Sequence, residues 1–465
     1  MSAAASHSQP FPFSQPIAVT VDDTSPFQRF GFNVLLVFLF LSFSRIFDVK
    51  FGNLHVTGVA IRAMTVMMLL SRAFQLALKS RIGKALLGFT ICFGMSVPFS
   101  LWRGGSKELF QSWVLLPFTV YLAVAGMIGD YPQWFKAFKA LTYALLVFTI
   151  IANVFGVNND GRLFLTQGKF GNPNEMAQAL LLGLPLWGAM MIMAKSLPGK
   201  AFALGVMVLI LATTFRTGSR GAMIAFGVTL LAVFLRAPVM GKLKIVMAGV
   251  VFMGIVLTTM PGKLIARYKT VAEESDDGEM DATMRDSASS STASRKQLLK
   301  HSLIFTMQHP LFGVGAGMFV VADDSYVKAL GGRKGTWLGT HNSYTQVSSE
   351  LGIPALLFFL SAVGMSVTGS YRIYQSTRGD PRLEDLGTVA LGLHYCMIIY
   401  AVTVLFEHIA YTVMLPVFGG MVAAMVRTAE VEIKRIQATP PPVSMSTAMF
   451  HNYLAARPRQ GQTAR

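Results

Sequence analysis

Four short clusters in this chain combine cations, a histidine and small polar residues in ways that could bind an anion or move a proton. In Arg216-Thr217-Gly218-Ser219-Arg220-Gly221-Ala222, two arginines bracket a break between apolar runs. An arginine at membrane depth costs at least about 2.5 kcal/mol on insertion scales, so it is paired or faces a polar cavity. Arg216 reads either as an interfacial side chain reaching back to lipid phosphate or as a substrate ligand. Arg220, beside Ser219 at a helix start, reads as an anion ligand. Gly168-Lys169-Phe170-Gly171-Asn172-Pro173-Asn174-Glu175 precedes another apolar run. There Asn174 can cap the helix, and its free N–H groups would favour an anion close to Lys169. Capping by itself also accounts for that asparagine.

Arg295, followed by His309-Pro310-Leu311-Phe312-Gly313-Val314-Gly315-Ala316-Gly317-Met318-Phe319, is the third cluster. The fourth is His341-Asn342-Ser343-Tyr344-Thr345-Gln346 ahead of Glu350-Leu351-Gly352-Ile353-Pro354. His341 is of the type that titrates near neutrality and has polar neighbours, so it is a candidate base as well as a structural hydrogen-bonding residue. Asn342, Tyr344 and Glu350 beside it are candidate substrate contacts. The glycine series lacks the strand, the P-loop Lys-Ser/Thr and the acidic partner of a nucleotide fold, which argues against nucleotide binding. No metal is expected: there is no His-Glu-x-x-His and no cysteine pairing, and Asp276-Asp277 and Asp323-Asp324 lack calcium-loop spacing. No cofactor is expected either. Glu407 and His408 lie at a span entrance, cytoplasmic or re-entrant depending on where that span begins, and read as structural.

Helices in a bilayer must position these clusters. The 465 residues are 53% hydrophobic and 14% charged, with positive mean hydropathy, outside the range of ordinary soluble domains. The apolar residues come in blocks of roughly 17 to 25, the length that crosses a bilayer as helix. Blocks such as 201–215 are apolar all round, without the alternation of a barrel strand. The expected fold class is therefore an all-α integral membrane protein of about twelve transmembrane helices. They fall near 31–47, 55–77, 84–102, 109–128, 136–156, 175–194, 200–216, 219–236, 243–261, 346–372, 385–405 and 407–427. Cys92 and Cys396 lie inside apolar blocks and read as buried thiols.

The formal net charge of +17 sits at the ends of those blocks, without a basic stripe interleaved with aromatics, so nucleic acid is not an expected partner. The positive-inside bias explains it: connections carrying Arg72, Lys79, Arg81, Lys84, Lys136, Lys139, Lys195, Lys200, Arg236, Lys242, Lys244, Arg372, Arg378 and Arg382 share one face, which is then cytoplasmic. Residues 1–30 read as a polar cytoplasmic tail without the positive start of a secretory signal, and 31–261 as nine spans. Residues 262–345 read as one large loop outside the membrane, 346–428 as three more spans and 429–465 as a disordered cytoplasmic tail. Within the loop, Glu273 to Ser294 reads as a mobile acidic segment and Arg295 to Gln308 as a helix ended by Pro310.

In order, Gly171-Asn172-Pro173-Asn174, Gly218-Ser219-Arg220-Gly221-Ala222, the His309-to-Phe319 segment, His341-Asn342-Ser343-Tyr344 and Glu350-Leu351-Gly352 resemble the O-antigen ligase and Wzy-type polymerase superfamily of bacterial membrane glycosyltransferases. With the large loop before the last three spans, the likeness covers roughly residues 30 to 430. The resemblance implies a GT-C-like helical fold in the bacterial inner membrane, with the active site facing the periplasm. It implies an undecaprenyl-diphosphate-linked glycan as donor and lipid A-core or another lipid-linked glycan as acceptor. Such a donor already carries its leaving group, and guanidinium forks bind phosphate bidentately, so Arg220 and Arg295 would hold the diphosphate. His341 matches the family's outer-loop histidine and would orient or deprotonate the acceptor hydroxyl, with inversion at the anomeric carbon. A lipid-linked oligosaccharide flippase or polysaccharide transporter is the competing reading. It would place charges along the middle of the bundle, whereas these gather at the outer ends of spans.

Overall fold

The computed structural model describes residues 26–47, 56–159, 161–166, 172–259, 282–332 and 335–438. Helices α1 (Pro26–Ser44), α2 (Val56–Leu70), α3 (Ala73–Lys79), α4 (Arg81–Ser96), α5 (Arg103–Trp113), α6 (Thr119–Met127) and α7 (Tyr131–Phe155) lead to an antiparallel hairpin, β1 (Val157–Asn159) with β2 (Arg162–Phe164). Then come α8 (Pro173–Met193), α9 (Leu197–Arg216), α10 (Arg220–Arg236) and α11 (Val239–Thr259). Three helices, α12 (Ala282–Gln308), α13 (Phe319–Ala329) and α14 (Ser343–Leu351), precede the last three, α15 (Ile353–Thr377), α16 (Glu384–Thr403) and α17 (Met414–Ala438).

Among the described residues, nine helical stretches are long and apolar enough to cross a membrane, and α2 with α3, bent by 83°, would make a tenth. One of the nine, Arg103–Met127, joins α5 to α6 through a π turn at Val114–Phe118, where Pro117 denies the backbone a donor. The other two expected spans correspond to α10, whose 17 residues are at the lower limit for about 30 Å of hydrocarbon, and α11. Many helix starts are written locally. Ser80, Asp130, Ser196 and Ser219 each accept a hydrogen bond from a first-turn N–H, and Pro132, Pro173, Pro198 and Pro354 occupy first-turn positions where no intrahelical donor is needed.

Several expected boundaries move. The helix placed at 295 begins at Ala282, while 273–281 lie outside the described residues. The span expected over 346–372 is broken at Gly352, whose φ of +90° ends α14 and whose absent Cβ leaves room for the Leu311 carbonyl. The last span starts at Met414 rather than 407, because residues 404–410, though apolar enough to read as helix, have their backbone tied to α14. It also runs to Ala438, past the expected boundary at 428, since Ala429 and Ile433 stay buried on one face while Glu432 pairs with Arg435 on the other.

Hydrogen bonds between connections mark two ends of the bundle. At one end, Arg427 of α17 donates to the Ala125 and Ile128 carbonyls, completing the C-terminus of α6. At the other end, residues 99–106, the β hairpin, the α9–α10 turn, α12 to α14 and the 404–413 connection all meet. Beneath them α16 is buried along most of its length, and Phe89, Phe93, Trp113 and Tyr411 form an aromatic floor.

Candidate functional site

The glycine series serves close packing. Gly313, Gly315 and Gly317 adopt φ of +64°, +105° and +72°; a Cβ would lie 2.2 Å from the Glu350 backbone at the first and 2.0 Å from Ser100 Oγ at the second. Val314 and Gly315 N–H donate to the Ser349 and Glu350 carbonyls, Leu101 N–H donates to the Val314 carbonyl, and Ser106 Oγ to that of Ala316. The Glu350 side chain closes the arrangement, accepting from Gly317 N–H at 3.0 Å, Phe319 N–H at 3.4 Å and Tyr411 Oη at 2.8 Å. Burial pushes its carboxyl up to about 7.

The loop 335–342 crosses above this base, held by α13: Asp324 accepts from Gly335 N–H at 2.9 Å and Asp323 from Thr336 N–H at 3.4 Å. It delivers His341 in the left-handed region at φ +49°. Asn342 then caps α14, accepting from the N–H groups of Tyr344 and Thr345. Ser343 bolts α14 to the 404–413 connection: its N–H donates to the Val404 carbonyl, its Oγ donates to the Glu407 carbonyl at 2.7 Å, and Oγ accepts from Ile409 N–H at 3.0 Å. This joint sets His408 against His341, the rings 5.1 Å apart and perpendicular at 88°. Gly339 is packed so closely that a Cβ would lie 2.7 Å from the His408 ring.

Three buried side-chain atoms here have no hydrogen-bond partner: His341 Nδ1, His408 Nδ1 and Glu407 Oε2. Burial above all, then His408 and Arg295, pulls His341 down to about 4, so the ring is neutral at pH 7. Burial likewise pulls His408 down. Burial pushes Glu407 up to about 8, with Glu175 adding to the rise while Arg295 and Arg162 oppose it. Arg295, half-buried on α12, thus bears on both His341 and Glu407. Arg162 of β2 reaches the same neighbourhood, donating to the Thr217 carbonyl at 2.9 Å and to Asn174 Oδ1 at 2.7 Å.

Of the residues singled out by sequence, His341 and Arg295 come together, and Arg220 begins α10 at the same end, beside Gly221, which packs on Phe406. The others make contacts within the protein. Arg216 donates to Asn153 Oδ1 at 2.7 Å, Tyr344 Oη donates to the Ala401 carbonyl at 2.9 Å, and Glu350 and Asn342 brace loop and helix as described. Asn172, rather than Asn174, caps α8, leaving the Asn174 carboxamide for Arg162. Lys169 lies outside the described residues. Sequence reading missed Arg162 and took Glu407 and His408 as structural. The available signal was a Glu-His pair in the connection after the eleventh expected span, which parity puts on the same side as His341 in the connection after the ninth. Among the described residues no group of three His, Cys, Asp or Glu is placed to hold a metal ion.

Residues 205–360 match the family model described as O-antigen ligase. The match spans Arg216, Arg220, Arg295, the glycine series, His341 and Glu350, and it supports an O-antigen ligase-like function. Arg162, Glu407 and His408 lie beyond it and are joined to it only by the fold. No curated protein matches the chain.

Proposed function

Residues 205–360 carry the O-antigen ligase signature, and on that premise we propose that the chain is a membrane glycosyltransferase moving a glycan from an undecaprenyl-diphosphate-linked donor to an acceptor hydroxyl at the periplasmic face of the inner membrane. The observation that carries this reading is the cluster of unpartnered buried atoms on His341, His408 and Glu407 within the electrostatic reach of Arg295. A folded protein leaves few buried polar groups unsatisfied, and several in one place indicate a site completed by its substrate.

In the proposed reaction the acceptor oxygen bonds to the anomeric carbon while the bond from that carbon to the phosphate oxygen breaks. The electron pair leaves with the diphosphate, and the configuration inverts. Arg220 and Arg295 receive the departing charge, each able to offer two parallel N–H donors. His341, neutral at pH 7, accepts a hydrogen bond from the acceptor hydroxyl and draws off its proton. Glu407, mostly protonated at neutral pH, leaves the charge of Arg295 and Arg162 available to the diphosphate. Metal ions have no part in the scheme, so activity should survive EDTA. The acceptor is lipid A-core or another lipid-linked glycan.

Deleting the gene and analysing surface glycans tests the reading. Loss of long chains with lipid-linked polymer accumulating identifies a ligase, and single repeat units left on the acceptor identify a polymerase. Unchanged glycans with altered lipid flux would replace transfer by transport. The position of Arg216 and Arg220 at helix ends and of Arg295 on α12, rather than along the middle of the apolar bundle, favours transfer.

A further inference from the structure

One face of α12 is buried and the other is apolar where an extramembrane helix should be polar. Inward, Leu298 and Phe305 pack on Val314, Met318 and Phe319, and His301 and Thr306 reach Asp323 and Ser348. Outward, Leu299, Leu303 and Met307 are exposed in a line one helical turn apart, Met307 to 76%, and Leu311 continues it at 62%. Lys296 and Lys300 flank this line, and with Leu299, Leu303 and Met307 they border an open, shallow space of about 560 Å³. The apolar line meets the end of a membrane span: Phe312 stacks on Phe99 at 4.2 Å, with Leu101 and Trp102 exposed alongside.

We propose that this face is a membrane-docking surface, with the apolar side chains in the acyl boundary of the leaflet and Lys296 and Lys300 at lipid phosphates. Apolar residues flanked by lysines are the composition of a helix lying in the bilayer interface, where lysine stems run along apolar surface to charged headgroups. Continuity with Phe99 and Trp102 sets the line at headgroup height, where aromatic side chains collect. A second copy of the chain fits worse, because a two-fold contact through this face would gather four lysines with no acidic side chain on the face to offset them. Arg295 leaves the same helix one residue before Lys296, so docking would hold its guanidinium at the level of a lipid-linked diphosphate. That last consequence rests on the proposed reaction; the surface itself does not.

The test uses the full-length protein in liposomes containing phosphatidylglycerol, with an environment-sensitive label at Leu303→Cys or Met307→Cys and Cys92 and Cys396 replaced by alanine. Ala329→Cys, exposed on α13, is the control. Labels at 303 and 307 should be quenched several-fold more by nitroxide lipids than the label at 329, and shielded from iodide. Lys296→Glu with Lys300→Glu should reduce the shielding. Iodide quenching at 307 as free as at 329 overturns the proposal, as does shielding that persists in detergent with 307-to-307 cross-links between copies. If the cysteine-free background does not fold, a genetically encoded fluorescent residue at the same positions gives the same readout.

Discussion

His301 and His341 are both shielded imidazoles in the region between α11 and α15, held in opposite ways. His301 Nδ1 lies 2.6 Å from Asp323 Oδ1, its ring is edge-on to Tyr326 at 5.0 Å, and Asp323 also accepts from the backbone of loop 335–342. His341, at the far end of that loop, has its Nδ1 buried without a partner, a second imidazole against its ring and a backbone in the left-handed region. The first arrangement satisfies polar groups and fixes α12 to α13. The second keeps a polar group unsatisfied in a strained conformation, which persists only where the surroundings over-determine it, as at sites of function. One histidine builds the platform and the other is presented by it.

Exchanging the two should show this. His341→Ala should lower turnover by about 10²- to 10⁴-fold while leaving donor affinity and the unfolding midpoint nearly unchanged, because it removes the proposed acceptor base and an already unpaired nitrogen. Loss of donor binding in this variant would reassign His341 to the diphosphate. Arg220→Lys keeps the charge but loses the planar fork, so turnover and donor affinity should fall together by about 10- to 100-fold, the worth of one charge-assisted hydrogen bond. Wild-type behaviour in both assays would remove Arg220 from the site.

His301→Ala should do the reverse of His341→Ala. It leaves the buried Asp323 short of a partner, which is worth about 1–3 kcal/mol of stability in chemical unfolding, with turnover per folded molecule changed less than tenfold. A turnover loss matching that of His341→Ala, with no loss of stability, would erase the distinction between the two.

The smallest effect is in the pH profile. His341 is pulled down to about 4 from 6.5, so kcat/KM should show no acid limb near 6.5 and fall only towards pH 4. Between those values the unfolded chain binds a proton that the folded one refuses, so the His341 contribution to stability, full above pH 6.5, is lost as pH falls. His408→Phe keeps a ring in place and removes the neighbouring charge. The acid limb should then move up by part of that interval, with Arg295 and burial holding the rest. An unmoved limb would confine His408 to packing.

The membrane class, most of the long apolar helices and three residues of the candidate site were legible in the sequence, because bilayer thickness sets the length of an apolar run and an arginine beside a helix break announces its own desolvation cost. Helix starts at Ser80, Asp130, Ser196 and Ser219 were equally local, each fixed by a side chain two or three residues from the N–H groups it caps. What the sequence could not decide was which polar residues would be consumed by packing. Glu350, Asn342 and Tyr344 have the chemistry of substrate contacts, yet their bonds go to the glycine segment, to the first turn of α14 and to α16. Glu407 and His408 have the pattern of a helix start, yet Ser343 fixes their backbone as an irregular connection and sets them beside His341. Apolar periodicity is a property of neighbours along the chain, whereas the partner that satisfies a buried carboxyl, or fails to, comes from another helix and exists only once the helices have packed.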